Sequence, residues 1–141
     1  MRRPRAMILD DEPTIVTAMR RYFIRRGYEV LCFTDPVVCP LYEGSARCDK
    51  KHPCADVVLT DLKMPRMTGI ELLELQSQRG CKADMRNKAI MSAYFDEGVL
   101  ERIRALGCSY FNKPFELSEL SDWLGRIEKR IDLSRPLGIL K

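Results

Sequence analysis

The sequence predicts an α/β protein: a five-stranded parallel sheet with helices on both faces. Two patterns carry this prediction. Five short apolar runs alternate with five stretches of helical periodicity, and strands alternating with helices build a parallel sheet covered on both sides. Three of the runs also end in polar landmarks. Ala6-Met7-Ile8-Leu9 leads into Asp10-Asp11-Glu12, Val57-Val58-Leu59 into Thr60-Asp61, and Tyr110-Phe111 into Asn112-Lys113-Pro114-Phe115. Ligands of such sheets bind outside the carboxyl ends of the strands, where the strand order switches. If these three strands are neighbours, three carboxylates and one ammonium share a pocket. It can hold a divalent cation and offer Asp61 as a nucleophile.

Arg5 to Asp10 reads as the first strand. Pro13 suits the first turn of the helix that follows, where its missing N–H costs nothing. Ile15, Val16, Met19, Tyr22 and Phe23 form its apolar stripe, Arg20, Arg21, Arg25 and Arg26 stay outside it, and Gly27 closes it. Tyr28 to Phe33 is the second strand. Thr34-Asp35-Pro36 looks like a helix start, but Pro40 interrupts it, so a broken second helix and a long loop are expected up to Pro53. Asp56 to Asp61 is the third strand, residues 64–69 a turn, and Ile70 to Gln78 a helix ending near Gly80. Lys88 to Ser92 is the fourth strand. Asp96 caps a helix carrying Val99, Leu100, Ile103 and Leu106 and closed by Gly107. Ser109 to Asn112 is the fifth strand. The final helix places Leu117, Leu120, Leu124, Ile127 and Ile131 on one face. Crossovers between the strands should be right-handed.

A chain of 141 residues fits one domain with a core that needs no staples. We expect that domain over residues 1–133 and a short tail over 134–141. The apolar runs are too short to span a membrane. The basic start is followed by a run too short for a signal peptide and ending in acid, so a cytoplasmic protein without membrane insertion is expected. The net charge of +4 is mild. Arg2, Arg3, Arg5, Arg20, Arg21, Arg25 and Arg26 read as a basic start and a solvated helix face. No element suited to reading nucleic acid accompanies them, and an acidic protein surface is a better partner for this patch.

Singly, each landmark is an ordinary turn. Together, Asp10-Asp11-Glu12, Asp61 with Met64-Pro65 and Gly69, Ser92-Ala93, and Lys113-Pro114-Phe115 resemble the receiver domains of bacterial two-component response regulators, the CheY-like superfamily, over about residues 5 to 132. The resemblance implies a three-layer, flavodoxin-like fold with strand order 2-1-3-4-5. It implies Mg²⁺ held by Asp11, Asp61 and the backbone carbonyl of Lys63, with Asp10 acting through water. Clustered carboxylates repel one another unless a cation sits among them, and a hard dication prefers oxygen ligands. Asp61 then takes a phosphoryl group from a phosphohistidine, with Lys113 and Mg²⁺ neutralising the transferred charge. Ser92 bonds the new phosphoryl group and Tyr110 follows it inward, a two-state switch. The Lys113–Pro114 peptide is cis in relatives.

The implied partners are a sensor histidine kinase or phosphotransfer protein and a downstream protein target. A homodimer through the predicted fourth helix, fifth strand and fifth helix also fits the resemblance. The resemblance implies no chemistry beyond self-catalysed phosphoryl acceptance and autodephosphorylation, which is expected to be slow because the positions of Lys63 and Tyr94 flank the path of attacking water in relatives. A dehalogenase-type enzyme also uses an aspartate nucleophile, but it needs an Asp-x-Asp arrangement that Asp10-Asp11-Glu12 does not supply.

Of six cysteines, four depart from the family pattern. Cys32 and Cys108 read as core fillers. The loops carrying Cys48, Cys54 and Cys81 are expected to meet at the edge opposite the acidic pocket. Cys39 can reach the others only if the second helix unwinds near Pro40. These four are open to three readings: reduced thiols, a structural Zn²⁺ site, or disulfides. A rival function follows from them, a metal- or redox-responsive interaction module on the same scaffold.

Overall fold

The computed structural model describes residues 1–34, 39 and 47–138. Five strands, β1 (Arg5–Leu9), β2 (Glu29–Phe33), β3 (Val57–Asp61), β4 (Lys88–Ser92) and β5 (Ser109–Asn112), form one sheet in the order β2-β1-β3-β4-β5. Every pairing is parallel, with Leu9 beside Thr60, Asp61 beside Met91 and Ser92 beside Asn112. The carboxyl ends of β1, β3, β4 and β5 therefore share one edge.

Among the described residues there are four α-helices, where five are predicted: α1 (Pro13–Arg25), α2 (Gly69–Gln78), α3 (Glu97–Leu106) and α4 (Leu117–Ile127). The broken helix expected from Thr34-Asp35-Pro36 lies outside the described residues. Alternation along the strands sends side chains to two cores. Ala6, Ile8, Val57, Leu59, Met91 and Phe111 pack against Met19 and Phe23 of α1 and Leu120, Trp123 and Leu124 of α4. On the opposite face Met7, Leu9 and Val58 meet Leu72 of α2, and Ile90 meets Ile70 and Leu73 of α2 and Ile103 of α3. No helix among the described residues is long and apolar enough to cross a membrane.

The helix ends follow the sequence closely. Pro13 is at the first turn of α1, and Gly27 (φ +96°) follows its C-cap, Arg26. Asp96 accepts the Val99 N–H at 2.8 Å, and Gly107 closes α3 in the left-handed region. The predicted stripe of the last helix is partly corrected. Leu117 is exposed, and α4 stops at Ile127, followed by a 3-10 turn over Glu128–Arg130. That turn brings Glu128 onto the Arg26 guanidinium (2.7 and 2.8 Å) and the Tyr28 hydroxyl (2.7 Å). Ile131 therefore lies beyond the helix, and Trp123, absent from the stripe, is buried instead.

Candidate functional site

Backbone hydrogen bonds fix each landmark as its strand ends. The Asp10 N–H donates to Phe33 O (3.0 Å), Leu62 N–H to Met91 O (2.8 Å), and Lys113 N–H to Ser92 O (2.8 Å). Gly69 N–H donates to Leu62 O (2.9 Å), which folds the β3–α2 loop back on the end of β3. A capping box between Thr68 and Glu71 then starts α2.

Asp10, Asp11 and Asp61 come together: one carboxylate oxygen from each lies within 4.8 Å of the others. Asp10 and Asp61 are buried and Asp11 is exposed. The Lys113 ammonium stands among them, 2.9 Å from Asp10 Oδ2, 3.3 Å from Asp61 Oδ1 and 3.5 Å from Glu12 Oε1. Asp10 Oδ1 accepts the Glu12 N–H at 2.9 Å, which orients the buried carboxylate. A cleft of about 390 Å³ opens from here, lined by Asp11, Asp61, Lys63, Ser92, Tyr94 and Lys113 among others.

Burial pushes the Asp61 carboxyl above its ordinary pKa. The Asp10 charge adds to this, the Lys113 charge and hydrogen bond oppose it, and Asp11 adds a smaller push. Burial pulls Lys113 down, but its bonds to and attraction by Asp10 and Asp61 outweigh that and hold its pKa up. The ammonium is thus charged at neutral pH while the Asp61 carboxyl is less acidic than usual. Three carboxylates against one ammonium leave excess negative charge on hard oxygen donors, a set that suits Mg²⁺.

The remaining predicted residues fall as follows. Lys63 is exposed on the cleft wall, and so is the ring of Tyr94. The Ser92 hydroxyl donates to Tyr94 O (2.9 Å) and accepts the Tyr94 N–H (3.3 Å), so it is engaged with its own loop. Tyr110 is exposed, its ring 5.0 Å from that of Phe95. The Lys113–Pro114 peptide is cis. Sequence reasoning missed the reach of Glu12 to Lys113 and the packing of Phe95 on Tyr110. Glu12 was legible from its place beside the acidic pair, whereas Phe95 has no periodic signal.

Cys39, Cys48, Cys54 and Cys81 line one cavity of about 40 Å³ beside Gln76 and Lys88. All are free thiols, and among the described residues the carboxylate trio is the one metal-type group drawn within 4.8 Å. The sulfurs surround the cavity without closing on a common point. Burial pushes the Cys54 thiol up. Lys50 opposes this, and Cys81, Cys39 and Cys48 add to it. Cys108 is buried in the α3 core, while Cys32 is only half-buried.

The family model for the response regulator receiver domain matches residues 6–124. The transcriptional regulatory protein KdpE of Mycobacterium tuberculosis is 32% identical over 117 residues, 80% of this chain and 46% of that protein. The chain spans roughly a quarter to a half of the length of the first curated relatives it matches. The receiver domain of the Francisella response regulator 1452 superposes with a TM-score of 0.69 at 21% identity, covering 90% of this chain and 98% of that one. The receiver domain of the sensor histidine kinase PA1611 of Pseudomonas aeruginosa, with a magnesium ion in its active-site cleft, gives 0.66 at 19% identity, covering 90% and 99%. At such identities the structural matches speak for the fold alone. Neither match offers support for zinc.

Proposed function

Because this chain belongs to the response regulator receiver domain family, we propose that it is a Mg²⁺-dependent phosphoryl acceptor whose nucleophile is Asp61. The observation that carries this reading is the Lys113 ammonium shared between Asp10 and Asp61 at the mouth of the cleft. An Asp61 carboxylate oxygen attacks phosphorus in line. The P–N bond to the donor imidazole breaks, the electron pair stays on the imidazole nitrogen, and an aspartyl phosphate forms. Lys113 meets the charge that gathers on the phosphoryl oxygens. Held by Asp11, Asp61 and the Lys63 carbonyl, with Asp10 acting through water, Mg²⁺ would supply further charge neutralisation.

The Ser92 hydroxyl, now bonded within its loop, is the group free to exchange those bonds for a phosphoryl oxygen. Tyr110 follows by leaving Phe95, repacking the face of α3, β5 and α4, where a downstream protein or a second copy would bind. The donor class is a phosphohistidine on a sensor kinase or phosphotransfer protein. Neither the family match nor the geometry favours the redox-module rival as the main activity.

Incubation with a small acyl phosphate and Mg²⁺, followed by intact-mass measurement, tests this reading. One phosphoryl mass gain should appear, depend on Mg²⁺, and vanish in Asp61→Asn. A gain that persists in Asp61→Asn would remove Asp61 from the role.

A further inference from the structure

The cysteine cavity lies at the amino-terminal edge of the sheet, away from the carboxylates. Three of its chain segments are fixed by hydrogen bonds to their backbone. Cys48 N–H donates to Arg79 O (2.7 Å), Cys81 N–H to Gln76 O (3.0 Å), and Arg5 Nη1 to Cys54 O (3.0 Å). Residues 47–56 form neither helix nor strand, so regular secondary structure does not account for this order.

Lys88 is the more telling neighbour. It is fully buried, and its ammonium donates to Gln76 Oε1 at 2.6 Å and to Cys81 Sγ at 3.4 Å. Among the described residues no carboxylate forms an ion pair with it. A buried ammonium without a counter-charge is costly, and a neutral thiol repays little of that cost. Gln76 Nε2 meanwhile points at Cys39 Sγ, 3.6 Å away. Two N–H donors are thus aimed at two of the four sulfurs.

We propose that this cavity is a structural site for a thiophilic cation of the zinc class, with Cys39, Cys48, Cys54 and Cys81 as ligands and Lys88 and Gln76 donating to their sulfurs. Four thiolates around a dication carry two net negative charges, and Lys88 is the buried counter-charge that such a centre needs. Each thiol proton passes to solvent as its sulfur binds. Closing on the cation requires the cysteine side chains to turn inward about χ1, a motion that does not itself break the hydrogen bonds of their backbone. The same division of ligand types separates the two cation sites of the chain: hard oxygens at one edge, soft sulfurs at the other.

The test uses the full chain, reduced and stripped of metal, and titrates it with Co²⁺. One equivalent should produce thiolate-to-cobalt charge transfer and tetrahedral visible bands, and Zn²⁺ should displace it. Cys54→Ser and Cys81→Ser should each weaken binding more than 100-fold, and Lys88→Met by about 10-fold. Cys108→Ser and Asp61→Asn should leave it unchanged. If the serine variants fold poorly, thiol counting on the unmodified chain decides: Zn²⁺ should protect four of its six cysteines from a thiol reagent, and a chelator should expose them again. Absence of charge transfer, protection of no thiols, a band that survives both serine variants, or a band lost in Asp61→Asn would each overturn the proposal.

Discussion

At the residue scale, the energetics of Asp61 oppose its own charged form. Its carboxyl is raised by burial and by Asp10, against the pull of Lys113. A group that binds its proton more tightly folded than unfolded lowers stability as pH rises from its ordinary value through the raised one. Above that window the metal-free protein carries the cost of an ionised Asp61. Asp61→Asn should therefore melt higher than the unmodified chain at neutral pH in chelator, and the gap should close as the pH falls to the ordinary carboxylate range. Mg²⁺ should stabilise the unmodified chain more than the variant, because it binds the folded carboxylates. Thermal melts across pH, with and without Mg²⁺, check this; equal midpoints at neutral pH would contradict it. A second prediction belongs to the cleft wall. Lys63 and Tyr94 both line the cleft beside Asp61, and on the proposed reading a long side chain and a ring there would obstruct attacking water. The double change Lys63→Asn and Tyr94→Ala should shorten the lifetime of the aspartyl phosphate about tenfold, a loss of roughly 1.4 kcal/mol of barrier, measured by decay of the phosphorylated mass.

At the scale of elements, α2 begins at Gly69, and that glycine holds the loop against the end of β3. A Cβ at Gly69 would run into the Asp61 carbonyl oxygen and meet Thr60 Cγ2 at 3.1 Å. The first obstacle is backbone and cannot swing away. Gly69→Ala should cost about 2 kcal/mol, as overpacking does, and should slow phosphoryl acceptance as Asp61 shifts. Melting and the rate of mass gain test both halves, and an unaltered rate in a destabilised variant would separate the loop from the chemistry. Elements of this kind were largely legible in the sequence. The ends of β1, β3 and β5 were marked by a change from apolar to charged residues, and the caps at Pro13, Asp96 and Gly107 by residue types that those positions favour. What stayed hidden was decided by tertiary contact. α4 ends early where Glu128 meets Arg26 and Tyr28, partners about a hundred residues away. Trp123 is buried with its Nε1 donating to Ser109 Oγ (3.0 Å), which a stripe of aliphatic residues does not announce. The acidic trio was legible as a set, but the sharing of Lys113 among Asp10, Asp61 and Glu12 needed the register of β1, β3 and β5.

At the scale of the whole molecule, the sheet separates two ends with different tasks. The carboxyl edge holds the acidic cleft, while the amino edge gathers both ends of the described chain. There Arg2 makes a fork on Asp56, at 2.7 and 2.8 Å, and Asp56 also accepts the Arg5 N–H at 2.8 Å. The Asp56 side chain is almost wholly buried. The same guanidinium donates to Arg135 O (2.6 Å) and Asp132 O (3.2 Å), and a little further on Gly138 N–H donates to Pro53 O (2.8 Å). Arg2 and Asp56 together thus tie the start of β1, the approach to β3 and residues 132–135. Breaking a buried pair costs several kcal/mol because a charge is left behind. Arg2 is partly exposed and water can reach the gap, so a loss of about 2 kcal/mol is expected for Arg2→Ala, a fall of roughly 8 °C in melting temperature. Arg2→Lys should recover less than half of this, since an ammonium cannot reproduce the two-pronged contact. Amide exchange at Gly138 should quicken in Arg2→Ala, while phosphoryl acceptance at the far edge should stay within about twofold, as distant independent sites behave additively. A loss of acceptance matching the loss of stability would mean instead that the two edges of the sheet are coupled, with β1 and β3, which run between them, as the physical route.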